Sequence, residues 1–319
     1  MRRTAAALAA LIIGGLVGCS DDSGTAAAAD GSRTTGSGTA AATAAADKVT
    51  VAAAFYPLEF LTERVGGELV EVTGLTQPGA EPHDLELTAK QVAGLGETDL
   101  VVFERGFQPA VDEAVDEHAK DRSLDLAAVQ PLEQGFVPLE EGELHEDEKG
   151  ADPHIWLDPQ RMQSLADATA KRLAQVRPGA AQSFEANAAA LKADLAALDE
   201  EFRAGLSGCA RREFVTSHNA FGYLARRYGL EQIAITGLTP ESEPSPKRLI
   251  EVAELAKARK VTTIFFEELV SPKTAESLAR EVGAEAQVLS PLEAAPESGD
   301  YFSGMRTNLA SLHAALGCP

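Results

Sequence analysis

"RPGAAQSFEANAAALKADLAALDEEFRAGLSG", residues 177–208, organises everything on either side of it. Phe184, Ala188, Leu191, Leu195, Leu198 and Phe202 recur at spacings of 4, 3, 4, 3 and 4, which puts them on one face of a long helix. A helix from Pro178 to Leu206 would run about 43 Å at 1.5 Å per residue, the length of a pair of small domains. A single rigid helix between two bodies permits small rocking motions, unlike a flexible hinge.

Both flanks alternate strand and helix signals. Before the helix, "KVTVAAA" (48–54), "ELVEVTGL" (68–75), "DLVVFE" (99–104) and the weaker "RSLDL" (122–126) read as strands. Between and after them, 57–66, 88–96, 109–120 and 159–176 have helical periodicity. After the helix, "EFVTS" (213–217), "EQIAIT" (231–236), "VTTIFF" (261–266) and "AQVLS" (286–290) are the strands. The helices there are 219–229, 245–260, 271–283 and 301–317, with Pro246 and Pro272 at helix starts, where a missing N–H costs nothing. Four strands alternating with helices imply a parallel sheet covered on both faces. The fold class is therefore α/β, with one lobe over 48–176, a linking helix over 177–207 and a second lobe over 208–319.

The N-terminus sets the compartment. Arg2 and Arg3 precede an apolar run from Ala5 to Val17, which ends in Leu16-Val17-Gly18-Cys19. This reads as a secretory signal over 1–18, and the apolar run is shorter than the ~20 residues of a comfortable membrane span. Its end resembles a bacterial lipobox, which would make Cys19 the lipidated first residue of the mature chain. Residues 20–47 are almost entirely Ser, Gly, Thr, Ala and Asp, too polar and small to repay the entropy of ordering. As a flexible coil this tether would reach roughly 30 Å. The chain has 319 residues and a formal charge of −21, with no basic stripe, which argues against nucleic acid and suits a cationic ligand. Cys209 and Cys318 are left as an even pair in an exported protein, and such a pair reads as one disulfide.

In open α/β sheets, ligands bind outside the carboxyl ends of the strands. His83 in "GAEPHDLEL" follows the second strand, and His154 in "ADPHIWLDP" precedes the last helix of the first lobe. His218 in "TSHNAF" directly follows the first strand of the second lobe, and Glu293 in "SPLEAAP" follows the last. Three imidazoles and a carboxylate, two from each lobe, satisfy the four-coordinate preference of Zn²⁺ without thiols.

At these residues, "GAEPHDLELTAKQV", "DPHIWLDP", "TSHNAFGYLARRYGL" and "GLTPESEPSPKRL" resemble the zinc-binding substrate-binding proteins of ABC importers, the ZnuA- and AdcA-like group. The resemblance runs from Lys48 nearly to the end. It implies two (β/α)4 lobes joined by a rigid helix, with Zn²⁺ as the transported ligand in the interlobe cleft, held by His83, His154 and His218. It also implies an extracytoplasmic lipoprotein on the cell membrane that serves an ABC permease and its ATPase, monomeric and without enzymatic activity. Manganese-binding relatives tend to carry a carboxylate at the third position, so His218 points towards zinc. There are two departures. Many relatives have a ligand Asp where this chain has Ser290, and the AdcA-like branch instead takes the glutamate after Pro-Leu, here Glu293. The loop over 138–151, often histidine-rich in relatives, holds only His145 among acidic residues.

Other candidates are weaker. Glu81, two residues before His83, is an additional ligand or gate. Glu267 and Glu268, after "TTIFF", are acceptors that would orient a ligand imidazole, or else ion-pairing groups. His118 reads as a solvated helix end, and His313 as a packing or surface residue of the terminal helix. Three other functions compete. A manganese importer would use the same lobes, and a surface adhesin would carry zinc structurally. A zinc hydrolase needs an open coordination position and a general base; here Glu293 fills that position and no HExxH helix is present.

Overall fold

The computed structural model of the protein describes residues 48–134 and 150–319. The signal segment, the tether, Cys19, His145 and most of the acidic loop lie outside the described residues.

The first sheet has strands β1 (Val49–Ala53), β2 (Val70–Gly74), β3 (Leu100–Phe103) and β4 (Ser123–Asp125), all parallel, in the order β2-β1-β3-β4. The second repeats the plan with β5 (Glu213–Thr216), β6 (Glu231–Ala234), β7 (Thr263–Phe266) and β8 (Glu285–Val288), in the order β6-β5-β7-β8. The register sets Val51 against Val72 and Leu100, and Val215 against Ile233 and Ile264, all apolar neighbours. In each sheet the chain steps to one side of its first strand and then returns to the other. That reversal opens a crevice at the carboxyl ends.

In the first lobe the helices are α1 (Tyr56–Gly66), α2 (Ala89–Leu95), α3 (Pro109–His118), α4 (Leu126–Val129) and α5 (Pro159–Val176). The linking helix is α6 (Ala181–Gly205), and α7 (Gly222–Tyr228), α8 (Pro246–Ala258), α9 (Lys273–Val282) and α10 (Tyr301–Leu316) cover the second sheet. Their starts carry local signals: Thr88 and Gln91 form a capping box on α2, and Asp158 and Ser245 cap α5 and α8 ahead of a first-turn proline.

Several boundaries differ from the sequence reading. The strand expected over 122–126 stops at Asp125, because its side chain accepts the Ala127 N–H and starts α4. The helix expected from Asn219 begins at Gly222, since the Asn219 N–H is committed to the Gly237 carbonyl. Pro272 is the residue before α9 rather than its first. The linking segment opens with a 3₁₀ turn, Pro178–Ala180, so α6 itself is about 37 Å long.

The six residues of the predicted α6 face are all buried. Polar contacts fix the same helix to both lobes. Asn187 donates to the Val65 carbonyl and Asp194 pairs with Arg64 of α1, while Glu201 takes Arg306 of α10. Asp199, which the apolar periodicity did not single out, accepts from Arg227 and Tyr228 of α7. Phe60 stacks on Tyr301 at 5.2 Å, and one continuous apolar core contains residues from both sheets. Two lobes that share a core and a linking helix move relative to one another only by breaking packed contacts. Cys209 and Cys318 form a disulfide that closes the second lobe across 109 residues.

Candidate metal centre

Each predicted ligand stands at the carboxyl edge of its sheet. His83 lies in the loop after β2, whose backbone is held where Gln108 Nε2 donates to the Pro82 carbonyl at 2.9 Å. His154 opens a 3₁₀ turn, Ile155–Leu157, between α4 and α5, and His218 lies two residues past β5. Glu293 follows β8 through a turn in which Leu292 takes φ 56°, a left-handed conformation that a non-glycine residue holds only under constraint. The constraint is visible. Trp156 Nε1 donates to the Pro291 carbonyl at 2.7 Å, and Tyr301 Oη donates to the Trp156 carbonyl at 2.6 Å. The chain's one tryptophan thus ties the His154 segment of the first lobe to the Glu293 turn of the second.

The four side chains converge. One ligand atom from each of His83, His154, His218 and Glu293 lies within 4.8 Å of the others. Glu293 Oε1 is 3.5, 3.3 and 3.6 Å from the Nε2 atoms of His83, His154 and His218, and the last two nitrogens are 3.2 Å apart. Glu293 Oε1 and His83 Nε2 are buried and have no hydrogen-bond partner. Most of these spacings exceed an ordinary hydrogen bond, yet they match the ~3.3 Å edge of a tetrahedron whose ligands lie 2.0–2.1 Å from Zn²⁺. His154 and His218 are fully buried at the side chain, and His83 is 8% exposed.

Outer carboxylates fix the rings. A carboxylate can only accept, so His154 Nδ1 donates to Asp152 Oδ1 at 2.8 Å, and His218 Nδ1 donates to Glu267 Oε1 at 2.6 Å. Each ring is thereby turned so that Nε2 is the nitrogen that faces the cluster, and the carboxylate behind it raises the basicity of that nitrogen. Ser217 Oγ also donates to Glu267, and Asp152 Oδ1 accepts the His154 N–H at 3.0 Å. Glu267 is buried whereas Glu268 is exposed. Of the two candidates, Glu267 is the one that touches a candidate ligand imidazole.

Electrostatics follow from burial and these neighbours. Burial opposes charge on His218, but Glu267 and Glu293 outweigh it and push the imidazole up to about 10. His154 is likewise raised, against burial, by Asp152 and Glu293. Burial lowers His83, with Glu293 acting in the opposite sense. Glu293 is held well below the usual carboxylate range, against burial, by the three imidazoles. Glu81 stands outside the four-residue set; burial and then Glu293 push it up to about 8, and its Oε1 is buried without a partner. Glu104, just past β3, is buried, and burial, then Asp152 and Asp125, hold its carboxyl well above the usual carboxylate range.

Ser290 takes no part in the cluster. Its backbone N–H and carbonyl are bonded to Asn308, and its hydroxyl accepts the Leu292 N–H. Asp152, Gln108 and the tryptophan tie were missed by sequence reasoning. Of these, only Asp152 carried a signal, as a carboxylate two residues before a candidate ligand.

Two parallel α/β lobes, one helix between them and a buried nitrogen-rich cluster on the seam are the architecture shared by two-lobed, ZnuA-like binding proteins. The chain belongs to the ZnuA family, described as the periplasmic component A of the zinc-uptake complex, which matches residues 51–315. The zinc-binding lipoprotein AdcA of Streptococcus pneumoniae TIGR4 is 37% identical over 281 residues, covering 84% of this chain and 56% of that protein. The chain thus spans little more than half the length of the AdcA proteins it matches. The high-affinity zinc uptake protein ZnuA of Bacillus subtilis 168 is 33% identical over 285 residues, 85% of this chain and 88% of its own. Among solved structures, the laminin-binding protein Lmb of Streptococcus agalactiae, described as a bifunctional adhesin and metal transporter, superposes with TM-score 0.76 at 33% identity, over 84% of this chain and 99% of that one. The Zn(II)-bound ZnuA-like domain of pneumococcal AdcA does so with TM-score 0.69 at 35% identity, over 85% and 99%.

Proposed function

We propose that this chain captures Zn²⁺ outside the cytoplasm and delivers it to an ABC permease driven by its ATPase. Lipidated at Cys19, the protein would be anchored to the cell membrane by the tether over 19–47. His83, His154, His218 and Glu293 are the proposed ligands. The observation that carries the reading is the convergence of one carboxylate oxygen on three imidazole nitrogens, at 3.3–3.6 Å from each, close to the ~3.3 Å edge of a tetrahedral zinc shell. The names of the AdcA and ZnuA relatives support zinc as the cargo.

Glu293 supports binding over hydrolysis, because its carboxylate stands where a catalytic zinc keeps an open position for water. The two fixed imidazoles favour zinc over manganese, which prefers oxygen ligands and stands lower in the affinity order. Competition titration of the purified chain tests the reading: one zinc should bind tightly, with manganese far weaker. Equal affinity for the two ions, or zinc binding that survives His154→Ala and His218→Ala, would sink it.

A further inference from the structure

Tyr223, in the first turn of α7, stands at the seam between the lobes. The guanidinium groups of Arg161, from α5, and Arg226, from α7, lie over its ring, 4.5 and 4.8 Å from the centroid. Both arginines pair with Glu133 of the first lobe. The hydroxyl accepts the Glu133 N–H at 2.8 Å and donates to the Asp152 carbonyl at 2.8 Å. Asp152 is the residue whose Oδ1 holds both the backbone and the ring of His154.

The neighbours of Tyr223 act on the same residue. A Cβ at Gly222 would lie 2.5 Å from Asp152 Oδ2, so glycine is what lets the carboxylate approach α7. Arg226 Nη2 lies 3.8 Å from that oxygen. Residues 222, 223 and 226 of one short helix in the second lobe therefore surround the residue that aims a ligand in the first. The aromatic ring alone would be served by phenylalanine; the tyrosine hydroxyl adds a group that accepts from one backbone group and donates to another.

We propose that Tyr223 is a positioning residue for metal capture, whose hydroxyl carries the register between the lobes to Asp152 and so sets the aim of His154 Nε2. The inference rests on the four-residue site proposed above. Ligand atoms must stay within about 0.2 Å of their bonding distances, so a shift of the Asp152 backbone is felt at the ion.

The test compares Tyr223→Phe with Tyr228→Phe, which removes another buried hydroxyl of the same helix, bonded to Asp199 of α6 at 3.1 Å instead of to Asp152. Zinc affinity is read by chelator competition, release by stopped flow, and ligand geometry by the visible spectrum of the Co²⁺-loaded protein. Tyr223→Phe should weaken zinc about tenfold, mainly through faster release, with a changed Co²⁺ spectrum. Tyr228→Phe should lower thermal stability and leave both readouts unmoved. In an Asp152→Ala background, adding Tyr223→Phe should cost nothing further. Parental affinity and spectrum in Tyr223→Phe would overturn the inference. So would an equal loss in Tyr228→Phe, or full multiplication of the Tyr223 and Asp152 effects. A parent chain that binds no zinc would overturn the site itself, and this inference with it.

Discussion

Glu267→Gln tests the charge logic of the centre most directly. Glu267 Oε1 lies 2.6 Å from His218 Nδ1 and, after the opposing effect of burial, is the first cause of the raised imidazole pKa. The amide can still accept the Nδ1–H bond, so ring position should survive while the charge is lost. With a pKa of about 10, His218 is about 99% protonated at pH 8 before metal arrives, and its proton must leave when zinc takes Nε2. With glutamine at 267, only Glu293 still favours the imidazolium. The imidazole pKa should then fall towards its ordinary range, which leaves a smaller fraction of the molecules protonated at pH 8. The variant should therefore release fewer protons per zinc bound than the parent, by up to about one.

Two consequences oppose each other in affinity. Losing the carboxylate makes the imidazole a weaker ligand, typically by 10–100-fold in metal affinity. Removing a proton that zinc must displace works in its favour near neutral pH. Affinity at one pH is therefore a poor readout, and proton count and pH slope are good ones. The count comes from titration calorimetry of zinc binding in buffers of different ionisation enthalpy, at fixed pH. Between pH 7 and 9 the parent's zinc affinity should climb more steeply with pH than the variant's. Equal proton release by parent and Glu267→Gln would refute the assignment of His218 as an imidazolium paired with Glu267.

The same shift predicts how the metal-free chain responds to alkali. A group raised from 6.5 in the unfolded chain to about 10 in the fold contributes stability that is full below about pH 6.5 and lost as pH rises through about 10. The melting temperature in chelator should fall between pH 8 and 10; a flat profile there would count against the raised pKa. Trp156→Phe keeps the ring packing but strands the buried Pro291 carbonyl, so it should cost about 1–3 kcal/mol and weaken zinc through the Glu293 turn, measured by denaturant unfolding and competition titration. Reducing the Cys209–Cys318 bridge releases a span of 109 residues and should lower stability by about 2–4 kcal/mol, and finding two free thiols in unreduced protein by mass spectrometry would remove the premise. Glu293→Ala should weaken zinc yet leave three imidazoles partly competent, while His154→Ala should cost more; if instead Glu81→Ala lost zinc and Glu293→Ala did not, the fourth ligand would be Glu81.

The sheets and α6 were legible because their signals are local. Buried parallel strands show as short apolar runs, and the α6 face as a strict 3–4 spacing, whatever the rest of the chain does. The four candidate ligands were legible for a related reason: each sits in a loop just past a strand or ahead of a helix, where the fold class alone says ligands collect. What aims those ligands was not legible, because it depends on partners far away in sequence. His218 meets Glu267 across 49 positions, Tyr223 meets Asp152 across 71, and Trp156 meets Pro291 across 135.

The choice between Glu267 and Glu268 shows where the signal runs out. Neighbours at a strand end point to opposite faces, but β7 is apolar on both, so "TTIFFEE" does not say which face is the cleft. The exchange of Ser290 for Glu293 is harder still. A glutamate three residues further on reaches the cluster only because Leu292 holds a left-handed turn, and nothing in "SPLEAAP" asks for one. That turn is supported from outside: a Cβ at Gly304 of α10 would lie 2.4 Å from Leu292 Cδ2, so the helix must be bare there to admit the leucine. Trp156 holds the Pro291 carbonyl from the other lobe. The place of Glu293 in the cluster is thus a property of α10 and of the first lobe as much as of the segment that carries the glutamate.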